Sequence, residues 1–331
     1  MKIHFLFKNF FLIVISVVFT ILLTEAILRI FGYKPWKYQE VSNIGIYQND
    51  ENKGWISKKG VYKLPSPTNH SIYTLITILE DGSRLSGEYS DDLNKIIFIG
   101  GSFTQGWGVD DNETYAYKVQ QKLKNYKVKN YGQGGYGGVQ SFLLLNDIID
   151  KNLNTKLIIY GFIDHHEYRN VARSSWLEIL LKYSNSSHQQ TPQVPYATIL
   201  NNGNLDIKKP ITYLKLPLRE RLVVINLIEK TYMKLITKKR KGIQKQVVNK
   251  IALKMKEISI SNDAEFVFLN LKSDFREYVE FFEREKINYI DCNLNLTNDY
   301  LIENDYHPNE KAHTFYSNCI INNLKSKNLL F

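Results

Sequence analysis

The run Ile96-Ile97-Phe98-Ile99 is apolar at every position and ends in Gly100-Gly101-Ser102. It reads as a buried strand, and the helix-like segment at 113–123 makes the local reading strand, tight turn, helix. The alternation continues along the chain. Strands are expected at 95–100, 127–131 and 156–161, with helices at 113–123 and 138–151 between them. Farther on come a strand at 265–270, a helix at 275–285, a strand at 288–291 and a closing helix at 309–325. Strands separated by helices imply a three-layer α/β/α fold around a central, mainly parallel sheet. With 331 residues and 44% hydrophobic content, the chain can build one large domain and an accessory element.

The N-terminus differs from the rest. Phe10 to Leu23 is almost wholly apolar, and the pattern runs on through Ala26-Ile27-Leu28 and Ile30-Phe31. A helix of about 22 residues reaches about 33 Å, enough for a bilayer core. Residues 1–32 are therefore expected to be a signal-anchor, with residues 10–31 crossing the cytoplasmic membrane once. Lys2 and Lys8 favour a cytoplasmic N-terminus, which puts the remainder on the periplasmic or extracellular side, although Arg29, Lys34 and Lys37 weaken the bias. Glu25 and Arg29 are spaced to pair on one helix face. A cleaved signal peptide is the alternative; the apolar stretch is long for one, and Thr24-Glu25-Ala26 is a poor cleavage site. No lipid-accepting cysteine follows the span.

Residues 33–90 read as a linker with a small β element: Ser71 to Leu79 is rich in β-branched residues and Asp81-Gly82 supplies a turn, so a small hairpin is expected. The main domain is expected at 91–331, interrupted by an irregular insertion at about 173–213 that includes the polar stretch Tyr183 to Pro192, with helical periodicity at 215–261. The net charge of +10 comes from scattered lysines and one cluster, Lys238-Lys239-Arg240-Lys241, followed by Lys245, Lys250, Lys254 and Lys256. Those positions face away from Ile243, Val247, Ile251 and Met255, which is the spacing of a solvated helix face. The lack of interleaved aromatics favours a solvated face over a nucleic-acid patch, with attraction to anionic lipid or acidic glycan left open. Cys292 and Cys319 fit a bridge in an exported domain or two separate buried thiols, and the oligomeric state is left open.

Ser102 stands where open α/β sheets place their chemistry, at the carboxyl end of a strand. Near the far end of the chain lies Asn304-Asp305-Tyr306-His307-Pro308-Asn309. A serine is inert alone and becomes a nucleophile when an imidazole takes its proton and a carboxylate orients that imidazole. His307 is the candidate base. Asp305, two residues earlier in an extended loop, projects to the same side, and only a carboxylate stabilises the imidazolium, which favours it over Asn304.

Four blocks, in order, resemble those of the SGNH (GDSL-like) hydrolase superfamily: Gly100-Gly101-Ser102-Phe103-Thr104-Gln105-Gly106-Trp107-Gly108-Val109, Asn130-Tyr131-Gly132-Gln133-Gly134-Gly135-Tyr136-Gly137, Gly161-Phe162-Ile163-Asp164, and Asn304 to His313. The chain looks like a membrane-anchored bacterial member of that superfamily, with an SGNH/flavodoxin-like fold. The resemblance implies Ser102 as nucleophile and an oxyanion hole that uses the backbone N–H groups of Ser102 and Gly135. It implies no metal or organic cofactor. It also implies an acylated small molecule or glycan as substrate, with a small acyl group on a cell-envelope or extracellular polysaccharide. Hydrolysis uses water as acceptor, and O-acyl transfer uses a sugar hydroxyl. An α/β-hydrolase elbow would need glycine where Thr104 stands.

The third block departs from the pattern, since Ile163 occupies the place of an asparagine that donates to the oxyanion. His165, His166 and Asn170 are the candidate replacements, unranked. Three other readings compete. Gly132-x-Gly134-x-x-Gly137 followed by Asp164 matches a dinucleotide fingerprint, although the strand before it, Tyr126 to Asn130, is too polar for that role. Asp164-His165-His166-Glu167 invites a metal, but neighbours on a strand end diverge and at most two converge. A catalytically weakened glycan-binding accessory protein is the third; Ile163 favours it, and the retention of Ser102, Asp305 and His307 argues against it.

Overall fold

A computed structural model describes residues 2–39, 45–66, 73–87, 90, 92–183 and 192–330. The expected strand positions Ser71 and Ile72, and 184–191 of the polar stretch, lie outside the described residues.

The chain opens with helix α1, Lys2–Ile30, followed by β1 Tyr47–Asp50, β2 Gly54–Ser57, β3 Gly60–Pro65 and β4 Tyr73–Ile78. Next come β5 Asn94–Gly100, α2 Ser102–Gln105, α3 Tyr115–Lys122, β6 Tyr126–Asn130, α4 Gly138–Ile148 and β7 Thr155–Ile163. These lead to α5 His165–Asn170, α6 Ser174–Lys182, β8 Val194–Ile199, β9 Leu205–Ile211, α7 Val223–Thr237 and α8 Gln244–Ser261. The last elements are β10 Glu265–Lys272, α9 Arg276–Arg284, β11 Asn288–Asp291 and α10 Glu310–Ser326. Two compact units result: Met1–Val41 with Arg173–Thr191 and Thr212–Lys238, and Ser42–Ala172 with Pro192–Ile211 and Lys239–Phe331.

The first unit holds α1, α6 and α7. Lys8–Ile30 is long and apolar enough to cross a membrane, and only 6% of its apolar window is buried. Its last turns are fastened to the start of α7. Glu25 pairs with Arg29 at 2.7 Å and accepts from Val224 N at 3.0 Å, while Arg29 donates to Arg221 O at 2.7 Å. Arg219 lies 3.9 Å over the Trp36 ring and 3.0 Å from the buried Glu229 carboxylate.

The second unit is built on five strands in the order β11-β10-β7-β5-β6, every neighbouring pair parallel. The pleat sends Ile96 and Phe98 to one face, where they join Tyr115 and Val119 of α3 and Tyr316 and Ile320 of α10 in one apolar cluster. Ile97 and Ile99, equally buried, point to the face covered by α4, α5 and α8. Each such side chain contributes about 1.5–3 kcal/mol by leaving water. Cys292, after β11, is bonded to Cys319 of α10, which settles the pairing that the sequence leaves open.

Several local readings are refined. The β-branched strand pairs with β3 upstream of it and, through a bridge from Ile78 to Arg84, also closes a short hairpin across Asp81-Gly82. The Asp81-Gly82 turn, closed by Leu79 N donating to Ser83 O at 2.8 Å, sets Arg84 between Ile78 and Asn130. The stretch 173–213 is not wholly irregular: Trp176, Leu177 and Leu181 bury one side of α6, and Asn201-Asn202-Gly203-Asn204 turns β8 into β9. Helical periodicity from 215 to 261 is divided by a 3-10 segment, Lys238–Ile243.

Arg84 is fully buried and binds the Asp111 carboxylate at 2.8 Å and the carbonyls of Gln105, Gly106, Leu75 and Val109. Arg84→Ala strands that carboxylate and those carbonyls, and is expected to cost about 3–5 kcal/mol. A urea titration of the full chain checks this; a loss below about 1 kcal/mol would contradict it.

Candidate active site

The strand order turns back at β5, so the connections from β5 and from β6 leave toward opposite faces and open a crevice at the carboxyl ends of the strands. Ser102 sits there. Gly100, at φ +155°, bends the chain out of β5 in a region side chains avoid, and a Cβ on it would meet Thr104 and the Gly161 carbonyl. Ser102 opens the single-turn helix α2, and Arg84 holds the carbonyls at its far end.

His307 arrives from the other end of the sequence. Its Nε2 is 2.9 Å from Ser102 Oγ, and its Nδ1 is 2.5 Å from Asp305 Oδ1. The loop that carries both is closed by a bridge between Leu301 and Pro308 and by Ile302 N donating to His307 O at 2.9 Å. Asn309 caps α10 by accepting from Ala312 N at 3.2 Å, and its amide donates to Asp299 O at 2.9 Å. Asn304 takes a left-handed turn, φ +59°, which asparagine tolerates, and it is Asp305 that bonds the ring. Burial works against the Asp305 carboxylate, but the hydrogen bond and charge of His307, with the backbone N–H groups of His307 and Tyr306, outweigh it and hold the carboxyl below its ordinary value. An ionised carboxylate only accepts, so Nδ1 carries the proton and the Nε2 lone pair faces the serine hydroxyl. Phe103 and Trp107 flank the ring, with centroids at 6.0 and 6.4 Å.

The glycine loop after β6 is fixed by residues that the sequence did not single out. Tyr47 accepts from Gly134 N at 3.1 Å and donates to Gln105 at 2.8 Å; burial pushes its hydroxyl up to about 12, so it stays protonated. Trp55 donates to Gly134 O at 2.9 Å, and Gln133 accepts from Ser57 N and Oγ at 2.9 and 2.7 Å. Gly135, at φ +80°, is half-buried at the crest of this loop. The fingerprint glycines pack against protein: Gly132 against the backbone of Gln105, Gly134 against Tyr47, Gly137 against Asn170. A pyrophosphate would have to occupy the space that these groups fill.

Ile163 is buried in the core cluster with Phe103 and Leu271. Of the three candidate replacements, two are shut in. His166 is buried with Nδ1 2.7 Å from the Tyr160 hydroxyl, and burial, then the charge of Arg169, holds its ring well below the ordinary histidine value. Asn170 is buried and accepts from Val139 N at 3.1 Å. His165 differs, with 43% of its side chain exposed. Burial first, then the charges of Arg169, Lys272 and His307, lower its pKa to about 4 against the opposing pull of Asp164. Asp164 accepts from His165 N at 2.8 Å and lies 3.8 Å from the His165 ring, while His166 turns to Tyr160 and Glu167 accepts from the Tyr278 hydroxyl at 2.5 Å, so the cluster splits between three directions. Because its pKa is lowered, the His165 ring is expected to stay neutral as pH falls from about 8 to about 5. Imidazole nitrogen shifts check this, and a midpoint near the ordinary value of about 6.5 would contradict it.

No protein-family model and no curated protein matches the chain. Among solved structures, 34 chains match. TesA is 11% identical at a TM-score of 0.42, over 71% of this chain and 99% of TesA. The psychrotrophic esterase EstA from Pseudoalteromonas, in a structure inhibited by monoethylphosphonate, is 9% identical at 0.42, over 70% of this chain and 97% of its own. A member of the lipolytic G-D-S-L family from Veillonella parvula is 10% identical at 0.37, over 69% and 96%. The solved structures to which this chain is similar thus include proteins of the G-D-S-L family.

Proposed function

We propose that this chain is an SGNH-type serine ester hydrolase or O-acyltransferase, anchored by α1, with residues 91–331 as its catalytic domain. The observation that carries the reading is the line from Ser102 Oγ to His307 Nε2, 2.9 Å, and from His307 Nδ1 to Asp305, 2.5 Å. In the proposed reaction Ser102 Oγ attacks the ester carbonyl while His307 Nε2 takes its proton, and Asp305 stabilises the imidazolium. The N–H groups of Ser102 and Gly135 receive the negative oxygen. His165, part-exposed where His166 and Asn170 are buried, is the proposed third donor in the absence of an asparagine at 163. The tetrahedral species collapses, His307 gives its proton to the departing alcohol, and an acyl-Ser102 ester remains. His307 then deprotonates water, for hydrolysis, or a sugar hydroxyl, for transfer, and the acyl group leaves Ser102. The proposed substrate is a small acyl ester on a cell-envelope or extracellular glycan.

The proposed location is the cytoplasmic membrane, crossed once by residues 10–31, with the catalytic domain outside. Two observations support it. The apolar window of α1 is almost wholly exposed, which water does not favour. Cys292 and Cys319 are joined, which fits an oxidising compartment.

A fluorophosphonate probe is expected to label the wild type and not Ser102→Ala; absence of labelling in folded wild type would favour the glycan-binding reading instead. Asp305→Asn is expected to lower kcat for a p-nitrophenyl acyl ester by about 10⁴. His165→Ala is expected to lower it by about 10²–10³ while leaving KM near its original value, and an unchanged kcat would remove His165 from the proposal.

A further inference from the structure

Helix α7 is inside out. Its buried side carries Val223, Asn226, Glu229, Met233 and Thr237, three of them polar. Its outer side carries Ile228, Tyr232, Leu235 and Ile236, which are 53%, 50%, 63% and 48% exposed. Those four fall at i, i+4, i+7 and i+8, which is one stripe of a helix. A helix in water presents the reverse arrangement, and an apolar stripe left outside marks a face with another partner. Beside it α6 exposes Ile179 and Tyr183, also four positions apart.

We infer that this stripe of α7 lies in the surface of the lipid bilayer that α1 enters. The inference rests on the membrane anchoring proposed above. Three observations name lipid as the occupant. First, the start of α7 is bound to the last turns of α1 through Val224 to Glu25 and Arg221 to Arg29, so the stripe begins where the apolar span ends. Second, α7 has 15 residues, about 22 Å of helix, too short to cross a bilayer of about 30 Å and suited to lying along it. Third, the stripe contains a tyrosine, a residue that settles at headgroup level, and Lys234 and Lys238 close the helix, where anionic headgroups would attract them. The first unit would then grip the membrane twice, through a span and through a surface helix.

The test uses the full chain, whose two cysteines are joined to each other, so that one added cysteine can carry an NBD fluorophore. Leu235→Cys, Val17→Cys within α1, and Lys325→Cys at the end of α10 are labelled and reconstituted into vesicles of phosphatidylethanolamine and phosphatidylglycerol with or without spin-labelled lipid. Far-UV circular dichroism verifies that each is folded. Severalfold quenching at 235 and 17, with none at 325, is the expected result. Quenching at 17 with position 235 behaving like 325 overturns the surface helix and leaves the anchor standing. No quenching at either position overturns both. A blue-shifted but unquenched signal at 235 that grows with protein-to-lipid ratio also overturns the inference, and assigns the stripe to a second copy of the chain.

Discussion

The hydrogen bond between Ser102 Oγ and His307 Nε2 joins positions 205 residues apart, and it exists only because two independently built loops meet within a few tenths of an ångström. One loop follows β5, a strand sealed on both faces, and is held at its far side by a buried guanidinium. The other precedes α10 and is fixed by the Asn309 cap and the bridge from Leu301 to Pro308. The charge-assisted bond from His307 to Asp305 adds about 1.5–3 kcal/mol to that second loop and sets the ring's tautomer. Packing of α10 against α3 over the sheet, with the Cys292–Cys319 bond behind it, brings the two loops together.

A second layer of polar burial serves the glycine loop. Tyr47, Trp55 and Ser57 come from strands that read in the sequence as a connecting region, yet they satisfy backbone and amide groups of Gln133 and Gly134. Buried polar groups of this kind are costly when half satisfied, so the loop and the small β strands stand or fall together. The left-handed Gly135 is held at the crest of a loop fixed from both sides.

Much of this was legible in the residues. Period and punctuation locate all five strands of the sheet to within about two residues of their observed ends; the inner strands β10, β7 and β5, buried on both faces, read as apolar runs, whereas the edge strands β6 and β11 are shorter and carry polar residues. Ser102, Asp305 and His307 stood out because each is the residue type that its chemistry needs, beside small or turn-forming neighbours. What stayed hidden depends on direction in space. His165 and His166 are adjacent in sequence, and only the start of α5 decides that one faces solvent and the other Tyr160. Arg84 gave no signal, since a lone arginine after a turn ordinarily reaches water. The turn of β8–β9, Asn201-Asn202-Gly203-Asn204, has turn composition but sits in a stretch that otherwise reads as irregular. The inverted face of α7 follows the helical period faithfully, and period alone does not say which side is inside.

The proposed chemistry turns on Ser102 Oγ as the atom that becomes acylated. The most direct measurement is a crystal structure of the full chain after reaction with a small alkyl phosphonate ester, a tetrahedral mimic of the acyl intermediate. The account predicts phosphorus bonded to Ser102 Oγ, with its free oxygen within hydrogen-bond distance of the backbone N–H groups of Ser102 and Gly135. An unreacted Ser102, or phosphorus bonded to any other side chain, would contradict it.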